Sequence, residues 1–148
     1  MTTLNNEIVI NAPIEKIWEA LSVIDNLEKF DPTVKKSVCI TNEKSGLNAK
    51  RKVEMLDGKN WFEEKVTEFK PNESLKYQLT NCSFPINGLT HSYTFEKLGN
   101  NIKVKQVMQY SVKYGVIGKI LDTLMIRKQT NSGVKKFFEG LKEYAEKH

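Results

Sequence analysis

Residues Glu7–Leu21 read EIVINAPIEKIWEAL and set an alternating strand directly against a proline-started amphipathic helix. Leu4, Ile8 and Ile10 share one parity of an extended segment while Glu7 and Asn11 take the other, the pattern of a strand wetted on one face. Pro13 suits a first helical position, where its missing N–H costs nothing, and Glu15 follows in the first turn, where the helix dipole favours an acid. Ile14, Ile17, Trp18 and Leu21 recur at the i, i+3, i+4, i+7 spacing of one buried face. The helix must therefore pack on something.

Working outward, Asp25–Phe30 reads as a short second helix, closed by Asp31 and Pro32. The chain then turns extended, with candidate strands at Val34–Asn42, Ala49–Leu56, Lys59–Phe69, Ser74–Cys82, Thr90–Leu98 and Ile102–Lys113. The connections at Ser45–Gly46, Asp57–Gly58, Pro71–Asn72 and Gly99–Asn100 are of the hairpin kind, so consecutive strands are expected to run antiparallel. Val116–Glu146 reads as one helix of about 30 residues, or ~45 Å. Its expected inner stripe is Ile117, Ile120, Leu124, Arg127, Asn131, Val134, Phe138, Leu141 and Ala145, polar only in the middle. Either Arg127 and Asn131 face a cavity, or the helix bends near Ser132 and Gly133 and leaves them in water.

The chain has 148 residues, 39% of them hydrophobic, and lacks a Pro-, Gly- or Ser-rich linker, which predicts one domain over 1–148. No apolar run approaches the ~20 residues of a membrane span. Met1–Asn6 lacks the basic start of a secretory signal, so a cytoplasmic location is expected. Cys39 and Cys82 have no CxxC spacing and read as reduced thiols rather than a disulfide framework. The net charge of +5 raises nucleic acid as a partner. Lys50, Lys52, Lys76, Lys103 and Lys105, however, occupy the polar parity of strand-like segments, where lysine also blocks edge-to-edge aggregation. No nucleic-acid partner is expected.

Parity also defines an inner sheet face. Ile102, Val104, Gln106, Met108, Tyr110 and Val112 share it in the last strand, His91, Tyr93 and Phe95 in the one before, and Leu75, Tyr77 and Leu79 continue it. This face is mostly apolar but carries hydrogen-bonding tips at Tyr77, His91, Tyr93, Gln106 and Tyr110, which need water, one another or a ligand. Arg51 shares parity with Val53 and Met55 and is expected inward, able to anchor a carboxylate or enolate oxygen. An ion pair between Arg51 and Glu63 is the plainer alternative, and Val66 falls out of phase with Trp61 and Glu63, which predicts a bulge.

This order of strand, two short helices, six antiparallel strands and a long C-terminal helix resembles the helix-grip fold of the START-like, or SRPBCC, superfamily, which includes Bet v 1. The resemblance is carried by EIVINAPIEKIWEAL, by PNESLKYQL and by GKILDTLMIRKQTNSGVKKFFEGLKEYAEKH, and it covers nearly the whole chain. The look is nearest to the bacterial polyketide cyclase/dehydrase-like branch. The resemblance implies an α+β architecture, a curved seven-stranded antiparallel sheet wrapped around the last helix, with a cavity for a small hydrophobic molecule of lipid, polyketide or quinone type. The glycine-rich loop of Bet v 1 relatives is reduced here to Gly46, so phosphate-like binding is not expected there.

The expected ligand-binding set is Arg51, Tyr77, His91, Tyr93, Phe95, Gln106, Met108, Tyr110, Leu124, Arg127 and Asn131. As an alternative to a carrier, the resemblance allows a cyclase or dehydratase in which His91, able to exchange protons near neutral pH, acts as acid or base and Tyr93 or Tyr110 donates to an enolate. A third reading is a protein-interaction module of the co-chaperone or Coq10-like kind. No nucleophile motif is present, and His91 and His148 do not make a metal-ligand cluster, so no metal or other cofactor is expected. Monomer and dimer both stay open.

Overall fold

The computed structural model describes residues 1–113 and 115–147, and the side chains of these other than Leu121, Thr123 and Leu124. Strand β1 (Thr2–Ile10) leads into helix α1 (Ile14–Ser22), a 3₁₀ turn (Ile24–Asn26) and the single-turn helix α2 (Leu27–Phe30). Strands β2 (Val34–Cys39), β3 (Lys50–Met55), β4 (Trp61–Lys70), β5 (Ser74–Cys82), β6 (Ile86–Leu98) and β7 (Asn101–Val112) follow. Helix α3 (Gly115–Leu121), a π-helical turn (Asp122–Ile126) and helix α4 (Arg127–Lys147) close the chain.

All seven strands join one antiparallel sheet in the order β1-β7-β6-β5-β4-β3-β2, so the first strand returns to pair with the last. The alternation of β1 is realised as alternate half-buried and exposed residues ending on buried Ile10. Pro13 is extended and stands one position before the helix rather than in its first turn, its carbonyl accepting from Lys16 and Ile17. Ile17, Trp18 and Leu21 are buried as their spacing requires. Trp18 is a packing residue, edge-on to Phe69 at 5.2 Å and to Phe95 at 6.0 Å.

Helix α4 is unbroken at Gly133 and buries Val134, Phe137, Phe138, Leu141 and Ala145. The irregularity expected near Ser132 lies instead at the π turn, anchored by the buried Asp122 carboxylate. That group accepts from Thr2 Oγ1 at 2.6 Å and from the Tyr110 hydroxyl at 2.5 Å. A π turn widens the helix and changes the phase of the residues after it. Within α4, Arg127 and Asn131 point to solvent, while Thr130 and Gly133, with Ile126 of the π turn, take the inward place beside the buried Val134. Ile117 and Ile120 are also exposed, against the expected inner stripe. Further along, α4 lies so close to α2 that a Cβ on Gly140 would stand 1.9 Å from the Phe30 carbonyl oxygen.

Candidate functional site

A cavity of about 470 Å³ lies between the inner sheet face and α4, within the range of small-molecule sites. The sheet contributes Met55, Phe62, Leu79, Ile86, Leu89 and Met108; the helical side contributes Met125, Ile126, Thr130, Gly133, Val134 and Phe137. The connection between β5 and β6 adds Phe84 and Pro85. The polar part of the wall is Arg51, Glu64, His91, Tyr93 and Gln106, with Asp31 and Thr33 beside the end of α2.

Those five polar groups form one chain of hydrogen bonds. Arg51 Nε donates to Glu64 Oε1 at 2.7 Å and Nη2 reaches the same oxygen, while Nη1 donates to the Ile24 carbonyl at 3.2 Å. Glu64 Oε2 lies 2.7 Å from His91 Nε2, His91 Nδ1 lies 2.8 Å from the Tyr93 hydroxyl, and Gln106 Nε2 donates to that hydroxyl at 3.1 Å. Asn6 Nδ2 completes the series on Gln106 Oε1. Tyr77 backs it: its ring stacks on His91 at 5.1 Å, the Arg51 guanidinium sits 4.3 Å over it, and its hydroxyl donates to the Leu21 carbonyl.

Protonation follows from these contacts. Burial by itself would raise the Glu64 carboxyl, but the Arg51 charge and then the His91 ring outweigh it and hold it down at about 2. An ionised carboxylate only accepts, so His91 Nε2 carries a proton. Burial pushes the Tyr77 hydroxyl up to about 12 and that of Tyr93 well above the usual phenol range, so both stay protonated. With a neutral His91 ring, the Tyr93 proton is donated to Nδ1 and the tyrosine oxygen offers only an acceptor. A second proton on His91 turns Nδ1 into a donor; Tyr93 oxygen, already accepting from Gln106, must then aim its own proton elsewhere. Protonation of His91 thus converts Tyr93 from acceptor to donor at the cavity wall.

Of the residues singled out from the sequence, Arg51, His91, Tyr93, Gln106 and Met108 line the cavity. Tyr77 supports His91 from behind, and Phe95 packs on Trp18. Tyr110 is wholly buried on Asp122, away from the described lining, and Arg127 lies outside with its guanidinium 3.4 Å from Asp122 Oδ2. Asn131 is exposed, and the Leu124 side chain lies outside the described residues. The partner of Arg51 is Glu64, not Glu63, which pairs in register with Lys52 on β3. Phe62, Glu64 and Val66 alternate regularly on the inner face of β4, in unbroken register with β3; the irregularities lie at Thr80 on β5 and at Thr67 on β4, after which Phe69 takes the inner face. The out-of-phase Val66 was the one signal in the sequence, and Glu64, which shares its parity, was not singled out from it. Among the described residues no group of His, Cys, Asp and Glu could hold a metal ion, and both cysteines are free.

The model of the polyketide cyclase/dehydrase and lipid-transport family matches residues 1–146. The chain belongs to that family. Solved structures similar to this member include a START superfamily protein from Mycobacterium smegmatis, with 18% identity, a TM-score of 0.72 and 95% of this chain and 97% of that one covered. A major latex-like protein from Panax ginseng gives 10%, 0.77 and 97% of each chain. The protein XoxI from Bacillus cereus gives 14%, 0.77, and 98% and 96%. At these identities the likeness shows the fold alone: the seven-stranded sheet, short helices and long C-terminal helix of the START and Bet v 1-like helix-grip proteins. No curated protein sequence matches this family member.

Proposed function

We propose that the chain binds a small, largely apolar molecule with one neutral hydrogen-bonding end, of lipid, polyketide or quinone type, inside the cavity. The observation that carries this reading is the cavity itself, whose walls are mostly methionine, leucine, isoleucine, valine and phenylalanine, with polar groups along the chain from Arg51 to Gln106, at Asp31 and Thr33, and at Gln129 and Thr130. Sites of this composition hold apolar ligands and orient them through a few placed polar groups. The ionic groups favour a neutral ligand. Arg51 is spent on Glu64 and on the Ile24 carbonyl and both His91 nitrogens are engaged, which leaves the Tyr93 oxygen to accept from a ligand hydroxyl and the second N–H of Gln106 to meet a ligand carbonyl. The family description, which joins cyclase chemistry with lipid transport, supports the same class of molecule.

Native mass spectrometry of the protein purified from its own host tests the reading. A bound molecule of defined mass is expected, and Gly133→Leu, which places a side chain in open cavity space, is expected to release it with folding intact. An empty spectrum for the unaltered protein, or retention of the molecule by the variant, overturns the proposal.

The line from Glu64 through His91 to Tyr93 favours one second reading, a metal-free cyclase or dehydratase in which His91 moves a proton and Tyr93 donates to a developing enolate. The carboxylate would stabilise the charged ring and hold its orientation. If His91→Ala abolishes turnover of a polyketide-like substrate while binding persists, the enzyme reading replaces the carrier; loss of binding alone leaves the carrier in place.

A further inference from the structure

The charge of this protein is not spread over its surface. Of its 23 basic and 18 acidic residues, the 24-residue segment 113–136 holds six and one, and the remaining 17 of each sign cancel. The entire excess of +5 belongs to Lys113, α3, the π turn and the first turns of α4. The single acid there, Asp122, is buried on Thr2 and Tyr110 and pairs with Arg127. The lysines at 113, 119, 128, 135 and 136 are all exposed.

The same segment exposes apolar side chains that nothing in the fold requires to be apolar. Val116 is 75% exposed, Ile117 67%, Ile120 55% and Met125 53%. An α-helix of a soluble fold normally turns such residues inward. Here α3 is held by its other side, where Gly118 lies so close to the preceding chain that a Cβ would stand 1.9 Å from the Lys113 carbonyl oxygen. One of these apolar residues reaches the cavity. Met125 both lines the cavity and reaches solvent. The Lys113 N–H donates to the carbonyl of Pro85, which ties the chain just before α3 to the uncharged stretch 83–89, the β5–β6 connection and the start of β6, whose Phe84, Pro85 and Leu89 line the same cavity.

We infer that segment 113–136, with the adjoining connection 83–89, docks on an anionic lipid bilayer. Exposed isoleucine and valine on a short helix, set among lysines and lacking a free acid, match an interfacial surface: the apolar side chains enter the headgroup boundary and the lysines meet lipid phosphates. A protein partner would need a defined acidic groove. A bilayer needs only the combination present here, and Met125 and Ile126 carry that segment to the wall of the cavity. The inference goes beyond ligand binding and stands on the charge partition and the exposed side chains, so an empty cavity would not remove it.

Co-sedimentation with vesicles of phosphatidylcholine alone, and of equal parts phosphatidylcholine and phosphatidylglycerol, tests it on the whole chain. Pelleting is expected with the anionic vesicles, falling at least tenfold on the neutral ones and falling again as salt is raised. Ile117→Asp/Ile120→Asp and, separately, Lys113→Glu/Lys128→Glu are each expected to abolish most of the pelleting while the melting temperature stays within a few degrees, since all four side chains are exposed. The inference is overturned by failure to pellet with anionic vesicles or by pelleting that neither double variant reduces. It is equally overturned by a dimer in sedimentation velocity that Ile117→Asp/Ile120→Asp dissolves, which would make the face a self-interface. Binding to duplex DNA as tight as to vesicles and indifferent to that variant would make it a polyanion site.

Discussion

Glu64 holds His91 in a defined tautomer: its Oε2 stands 2.7 Å from His91 Nε2, while its other carboxylate oxygen is occupied by Arg51. Because the carboxyl is held down at about 2, it is ionised across the neutral range and can only accept, so the proton is on Nε2 and Nδ1 is left to face Tyr93. The proton arrangement of the cavity wall therefore depends on a residue that touches the ligand space only at its edge.

This ion pair has a pH signature. A carboxyl held lower in the folded chain than in the unfolded one contributes stability that is fully present above the unfolded value, near 4.5, and is lost as pH falls toward about 2. Urea unfolding is expected to show constant stability from Glu64 above pH ~5 and a decline through that window, of the order of a few kcal/mol. In Glu64→Gln this component of the decline should disappear.

Removing one partner differs from removing both. Glu64→Gln leaves the buried Arg51 charge uncompensated and is expected to cost about 3–5 kcal/mol, whereas Arg51→Met/Glu64→Leu is expected to be near neutral in stability. Chemical denaturation of the two proteins checks this. A double variant as damaged as the single one would mean that the pair sets the fold rather than the site.

Tyr93→Phe removes one hydroxyl and keeps the ring. It leaves Gln106 Nε2 without its acceptor and His91 Nδ1 without its partner, at an expected cost of about 1–3 kcal/mol. The ¹⁵N shift of Nδ1 should move while that of Nε2, held by Glu64, stays. Movement of both nitrogens would contradict the assigned chain of hydrogen bonds.

Two glycines of the same helix are expected to answer oppositely. A Cβ at Gly133 meets nothing within 4 Å, so Gly133→Ala should stabilise the helix by about 0.5–1 kcal/mol. At Gly140 the Cβ would stand 1.9 Å from the Phe30 carbonyl oxygen, and Gly140→Ala should cost about 1–3 kcal/mol as α2 and α4 are forced apart. Thermal melts of the two variants decide the matter, at roughly 2–4 °C per kcal/mol for a chain of this size.

Tyr110→Phe should act on the π turn. Without that hydroxyl Asp122 keeps, among the described residues, Thr2 and Arg127, and amide exchange in residues 115–130 is expected to quicken while β5 and β6 are unchanged. Uniform quickening across the chain would show Tyr110 to be a core residue alone.

The sequence by itself determined the sheet, because a strand wetted on one face must alternate, and that alternation reads directly at Arg51 and Val53, at Tyr77, and at His91, Tyr93, Gln106 and Met108. It determined the opening helix as well, since Ile17, Trp18 and Leu21 must share a buried face. Tertiary structure decided the rest at two places where the backbone leaves its regular period. The bulge in β4 at Thr67 brought Phe69 to the face of Glu64 and Val66, and the π turn at Asp122–Ile126 separates α3, whose Ile117 and Ile120 are exposed, from α4, whose Thr130 and Gly133 reach the cavity. One residue of extra backbone reverses a strand face or rotates a helix face. The partners that meet at such irregularities, here Trp18 for Phe69 and Thr2 for Asp122, come from residues far away in the chain.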